Sequence, residues 1–137
     1  MELSVHIENK IKKSLNTVNS NIESSNGLPN KFYTSKKIFE YEKETVFSDN
    51  WCGIAFGSDI PDVGDIKALE FLSIPLIVVR TEKEQIQVFE NVCRHRGMIL
   101  VEESVKKKKH IRCPYHNWCY GIDGKLVSTP HVGGIGK

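Results

Sequence analysis

The chain has no hydrophobic run long enough to cross a bilayer: the longest, "IPLIVV" at 74–79, is only strand length. The N-terminus, "MELSVHIENKIKK", is polar, so the expectation is a protein with no secretory leader that stays in the cytoplasm. Neither sign of charge dominates. Nineteen Lys and Arg against 17 Asp and Glu leave a formal net charge of +2, which gives no pointer to nucleic acid or to a membrane surface. Four cysteines are few, and in a reducing compartment they are expected to serve metal binding and packing rather than disulfides. No internal repeat is present, and the lysine run at 106–109 is the one biased tract. What is left, 39% hydrophobic and 26% charged over 137 residues, is ordinary for a soluble globular domain.

The scarce metal-binding residues are not spread evenly. Residues 91–120, "NVCRHRGMILVEESVKKKKHIRCPYHNWCY", hold three of the four cysteines and three of the five histidines. Within them stand two pairs, Cys93 with His95 and Cys113 with His116, in the pattern C-x-H-x17-C-x2-H. A structural zinc finger places both cysteines first and both histidines later, whereas each short stretch here supplies one sulfur and one nitrogen. That order suits a two-iron cluster in which one iron takes both thiolates and the other both imidazoles. Two ferric ions, two sulfides and two thiolates sum to zero charge, while four thiolates would leave the cluster doubly negative. A neutral centre takes up an electron more readily, and histidine ligation raises the potential from about −400 mV to roughly −150 to +300 mV. Gly97 and Pro114 fit tight turns at the two pairs.

"NVCRHRGMILV" and "RCPYHNWCYGIDGKLVSTPH" resemble the Rieske [2Fe–2S] domain at the N-terminus of the large (alpha) subunit of ring-hydroxylating and related Rieske non-haem iron oxygenases. The ligand pairs, "HRG", "CPYH", Trp118, Tyr120 and the "DG" turn carry the likeness, and "GLPNKFYTSKKIFEYEKETVFSDNW" at 27–51 looks like the helix that precedes the first strand in those subunits. The resemblance implies that Cys93, His95, Cys113 and His116 are the cluster ligands. Respiratory Rieske proteins carry an extra cysteine in each loop, and Tyr115 stands at one of those positions. Two positions depart from the oxygenase pattern: Asn117 replaces the usual glycine, and Cys119 the usual threonine or serine. Asparagine tolerates positive φ, while Cys119 and Cys52 read as small packed thiols.

The fold expected is mainly β, a small antiparallel β-sandwich with two cluster-binding loops, preceded by one or two short α-helices. Residues 1–30 read as a helical arm, with Ile7, Ile11, Leu15 and Val18 at helical spacing, followed by a polar linker. Residues 31–137 read as the Rieske domain, truncated at its C-terminus. Its lead-in helix, about 34–48, is capped at Thr34 or Ser35, with Ile38, Phe39, Val46 and Phe47 available for burial. "WCGIAFG", "IKALEFL", "PLIVVR" and "QIQVFEN" read as strands, with hairpin turns at "TEKE" (81–84) and Asp123-Gly124.

The family likeness implies a partner list as well. The cluster would take single electrons from a reductase or ferredoxin and pass them to a mononuclear Fe(II) in a catalytic domain of the same or a neighbouring subunit, in a trimer. That iron needs two histidines and a carboxylate. His6, His110 and His131 are too scattered to supply them, so no catalytic residue is expected within this chain, and His131 reads as a surface-loop residue. The competing readings are a free-standing Rieske ferredoxin, a structural zinc module and a cluster-free interaction domain. The lysine run reads as a solvated hairpin tip or a docking patch for an acidic donor, Trp118 as packing behind the cluster, and Tyr115 as a hydroxyl donor to a cluster sulfur.

Overall fold

The computed structural model describes residues 2–16, 18, 21–130 and 132. His131 and the last five residues lie outside them. The chain divides into two compact units, Met1–Cys52 and Gly53–Lys137.

The first unit is helical. Helix α1, Glu2–Leu15, ends before Val18, the last residue at the expected helical spacing, and carries a Glu8–Lys12 ion pair one turn apart. Ile11, Leu15 and Val18 of the expected apolar stripe are half-buried. A single turn, α2 (Lys31–Thr34), precedes α3 (Lys36–Glu42), whose N-cap is Ser35: its hydroxyl accepts from the Ile38 amide at 3.4 Å. The helix then runs on to Phe47, as the sequence predicts, but residues Lys43–Phe47 widen into a π-helical turn. Thr45 and Ser48 each donate a hydroxyl to the carbonyl four residues back, a competition with the backbone that distorts helices. Of the four apolar residues offered for burial, Ile38 is buried and Phe47 half-buried, while Phe39 and Val46 face outward.

The second unit is two three-stranded antiparallel sheets. Strands β1 (Ile66–Phe71), β2 (Ile74–Glu82) and β3 (Gln85–Glu90) form a meander in that order. Leu72 and Ser73 make the first turn with both φ values positive, while Lys83 and Glu84 make the second, where the sequence predicts a hairpin. Strands β4 (His110–Arg112), β5 (Cys119–Gly121) and β6 (Leu126–Ser128) form the other sheet. Its hairpin turn is the expected Asp123-Gly124. Gly124 has φ +80°, and a Cβ there would meet the Phe89 ring. Ile66, Ile77 and Val79 from the first sheet meet Ile111 and Tyr120 from the second in one core.

One predicted strand does not form. "WCGIAFG" pairs with no strand among the described residues. Phe56 keeps extended dihedrals, yet extended backbone without a ladder partner is not a strand, and the segment leads into a short 3-10 turn at Gly57–Asp59. Arg80 fastens this turn to the meander by donating to the carbonyls of Ile60 and Gly57.

The lysine run is exposed to solvent, as the sequence predicts, but it joins strands of different sheets rather than forming a hairpin tip, and two of its lysines make specific contacts. Lys106 Nζ reaches Asp65 Oδ2 at 3.1 Å and the Asp59 carbonyl at 2.9 Å, the Lys107 amide donates to Asp65 Oδ1, and Lys107 Nζ pairs with Asp62. Asp65 itself is fully buried. The run therefore ties the segment between the ligand pairs to the start of β1, and a two-residue bridge between Ile66 and Val105 completes the seam.

Candidate metal centre

The two ligand pairs sit on two loops of the second unit that close in the same way. In the first, the Cys93 amide donates to the Met98 carbonyl at 2.8 Å and the Gly97 amide to the Cys93 carbonyl at 2.9 Å. In the second, Cys113 donates to Trp118 at 2.8 Å and Asn117 to Cys113 at 3.0 Å. The residue four after each cysteine has positive φ, Gly97 at 70° and Asn117 at 59°. Asparagine is the non-glycine residue best able to adopt that backbone. At the base of the first loop, buried Asn91 donates to the Val101 carbonyl and accepts from the Leu100 and Val101 amides.

These frames bring like ligands together. Cys93 and Cys113 are each about 1% exposed and belong to the same hydrophobic core. His95 and His116 lie further out, half-buried, with ring centroids 4.8 Å apart and planes crossing at 66°. Thiols are therefore deep and imidazoles outward. No group of three His, Cys, Asp or Glu among the described residues converges as a single metal ion would require. A mononuclear zinc site needs four protein ligands around one point, whereas a two-iron cluster asks for two at each metal.

Hydrogen-bond donors gather at the sulfur of Cys93. Burial pushes its thiol up, but the Tyr120 hydroxyl at 3.3 Å, the Cys113 thiol and the His95 and Arg96 amides outweigh it and hold the group below the ordinary thiol range. Tyr120 is pushed up to about 12 by burial and by that sulfur, so it keeps its proton and donates. The Arg94 amide in turn donates to the Tyr120 oxygen at 3.1 Å. The Cys93 sulfur thus has a tyrosine partner that the sequence does not single out. Tyr115 is 56% exposed, with its ring 3.7 Å from that of His116.

Trp118 is half-buried and packs against the core that holds Cys93 and Cys113, in keeping with the packing role expected of it. It stacks on His95 from the opposite loop, with ring centroids 4.7 Å apart and planes within 7°. Its indole Nε1 is buried and has no hydrogen-bond partner among the described residues. Two thiols, two imidazoles and an unsatisfied buried donor beside them fit a sulfide-bearing cluster, whose sulfurs accept hydrogen bonds. Cys119 is a buried thiol on β5, as expected, and Cys52 is half-buried.

Comparison with known proteins agrees with this geometry. Residues 50–136 match the Rieske [2Fe-2S] domain, and the chain belongs to that family. Its relatives are large subunits of Rieske oxygenases. It is 38% identical over 100 residues to the carnitine monooxygenase oxygenase subunit of Acinetobacter pittii, across 73% of this chain and 27% of the relative. It is also 37% identical over 103 residues to the biphenyl dioxygenase alpha subunit of Metapseudomonas furukawaii, across 75% and 22%. Among solved structures, naphthalene 1,2-dioxygenase from Rhodococcus sp. superposes with a TM-score of 0.78 at 32% identity, covering 92% of this chain and 28% of that one. The chain thus spans about a quarter of the length of the curated relatives it matches. No helix among the described residues is long and apolar enough to cross a membrane.

Proposed function

We propose that this chain carries single electrons through a Rieske [2Fe–2S] cluster held by Cys93 and Cys113 on the inner iron and by His95 and His116 on the outer one. The observation that carries the reading is the sorting of the four side chains by depth, two thiols in one core and two adjacent imidazoles toward the surface. The bound cluster supplies a one-electron couple at a potential raised by its histidines. The chain's own residues orient the ligands, exclude water from the thiol side and leave the imidazole edge as the way in and out.

In this reading the donor is a reductase or ferredoxin. The acceptor is a mononuclear non-haem Fe(II) in a catalytic domain of the same or a neighbouring subunit, within a trimeric oxygenase of the cytoplasm. The structure of one relative, a quaternary ammonium Rieske monooxygenase, is said to give insights into carnitine oxidation and inter-subunit electron transfer, which supports that route. Residues 1–30 act as an arm, and 31–137 as the cluster domain with its lead-in helix. The near-equal identities to a carnitine monooxygenase subunit and a biphenyl dioxygenase subunit fit a cluster region common to several substrate classes.

The test is electron paramagnetic resonance of anaerobically purified, dithionite-reduced protein, with iron and sulfide analysis. A rhombic signal with average g below the free-electron value, from about two irons per chain, is expected. Bound zinc without such a signal overturns the reading.

A further inference from the structure

We propose that Trp118 is the positioning residue for His95, holding the plane of that imidazole across the gap between the two loops. The proposal rests on the reading of His95 as a cluster ligand.

The two histidines are supported unequally. His116 has the exposed Tyr115 ring tilted against it at 39°, from its own loop. His95 instead lies flat against an indole that belongs to the other loop, face to face within 7°. A histidine's outer torsion is broad and roughly two-fold, so a backbone that fixes the Cα of His95 still leaves its ring free to turn. A ligand nitrogen must meet its metal in one orientation. The stacked indole removes the other orientations, because rotating the ring out of plane would drive its edge into the indole face.

The position of Trp118 is itself fixed. Its carbonyl accepts the Cys113 amide that closes the second loop, and Asn117 before it and buried Cys119 after it hold the chain on either side. The plane of one loop's ligand is therefore set by the frame of the other. The contact joins loops that are otherwise separated in sequence by the lysine-rich segment.

The variants Trp118→Phe and Trp118→Leu separate the ring face from bulk alone. With the cluster loaded, Trp118→Phe is expected to keep the nitrogen hyperfine couplings of the reduced protein at wild-type width. Trp118→Leu is expected to broaden one of the two histidine couplings and to shift the midpoint potential, with iron and sulfide content retained. In the metal-free full chain, the His95 ring protons are expected upfield in wild type and Trp118→Phe, and at ordinary positions in Trp118→Leu; this readout holds even where the leucine variant loads iron poorly. Phenylalanine behaving as leucine, or leucine as wild type, overturns the proposal. A wild-type protein with no cluster signal would instead remove the electron-transfer reading on which it rests.

Discussion

Tyr120 shows how much one side chain can set at this site. Its hydroxyl gives a hydrogen bond to the Cys93 sulfur and takes one from the Arg94 amide, so it links the second sheet to the first cluster loop. A hydrogen bond to a ligand sulfur favours the reduced cluster, which carries one more negative charge. Tyr120→Phe is expected to bind a full cluster, to show a lower midpoint potential by redox titration, and to be about 1 kcal/mol less stable without metal, from the loss of a buried hydrogen bond. The four proposed ligands were legible in the sequence, because thiols and imidazoles are rare and their order is informative. The Tyr120 contact to Cys93 was not legible there, since the two residues lie 27 places apart in the chain and no motif marks the pair. Depth separates the two tyrosines of this stretch: Tyr120, on β5, is buried in the core, whereas Tyr115 lies in the loop and is exposed. Asn91 went unremarked because a buried amide that braces a loop has no motif.

Among the elements, the cluster loops are the most demanding, for each needs a residue with positive φ four places after its cysteine. Gly97 meets this freely, and nothing lies within 4 Å of where a Cβ would stand. Asn117 meets it at some cost, which makes the second loop the better subject for a test. Asn117→Gly is expected to leave melting temperature unchanged or slightly higher. Asn117→Ala is expected to lose about 1 kcal/mol by urea denaturation, the cost of forcing an ordinary side chain into left-handed backbone. The meander was legible from its β-branched runs and the second hairpin from its Asp-Gly turn. The Leu72-Ser73 turn was not, because neither residue advertises positive φ. "WCGIAFG" was read as a strand from composition, but a strand is a property of a pair, and no described strand pairs with it.

At the scale of the whole second unit, stability depends on charge buried at the seam between the lysine run and β1. Burial pushes the Asp65 carboxyl up, but the Asp62 and Lys107 amides and Lys106 outweigh it, so it titrates below the ordinary carboxylate range. Asp59, bound to Lys67 and the Phe56 amide, is lowered too. A carboxyl depressed on folding contributes its full stability above the unfolded value, about 3.9, and loses it as pH falls toward the folded value. The metal-free protein should therefore hold its urea midpoint near neutrality and lose it steeply in acid. Asp65→Asn should be less stable at neutral pH, with a shallower acid limb; an acid limb as steep as wild type would show that the seam does not govern it.

The twin closure of the cluster loops separates the frame from its occupants. Both loops are pinned by the same two main-chain bonds across the same six-residue span, although histidine stands two places after cysteine in one and three in the other. Neither bond involves a side chain, so the ring of backbone is indifferent to which atom projects from it. Exchanging an imidazole for a thiolate at His95 or His116 would alter the cluster's charge and leave the scaffold as it stands. A redox centre built this way can be retuned one ligand at a time, through chemistry alone and without a new fold.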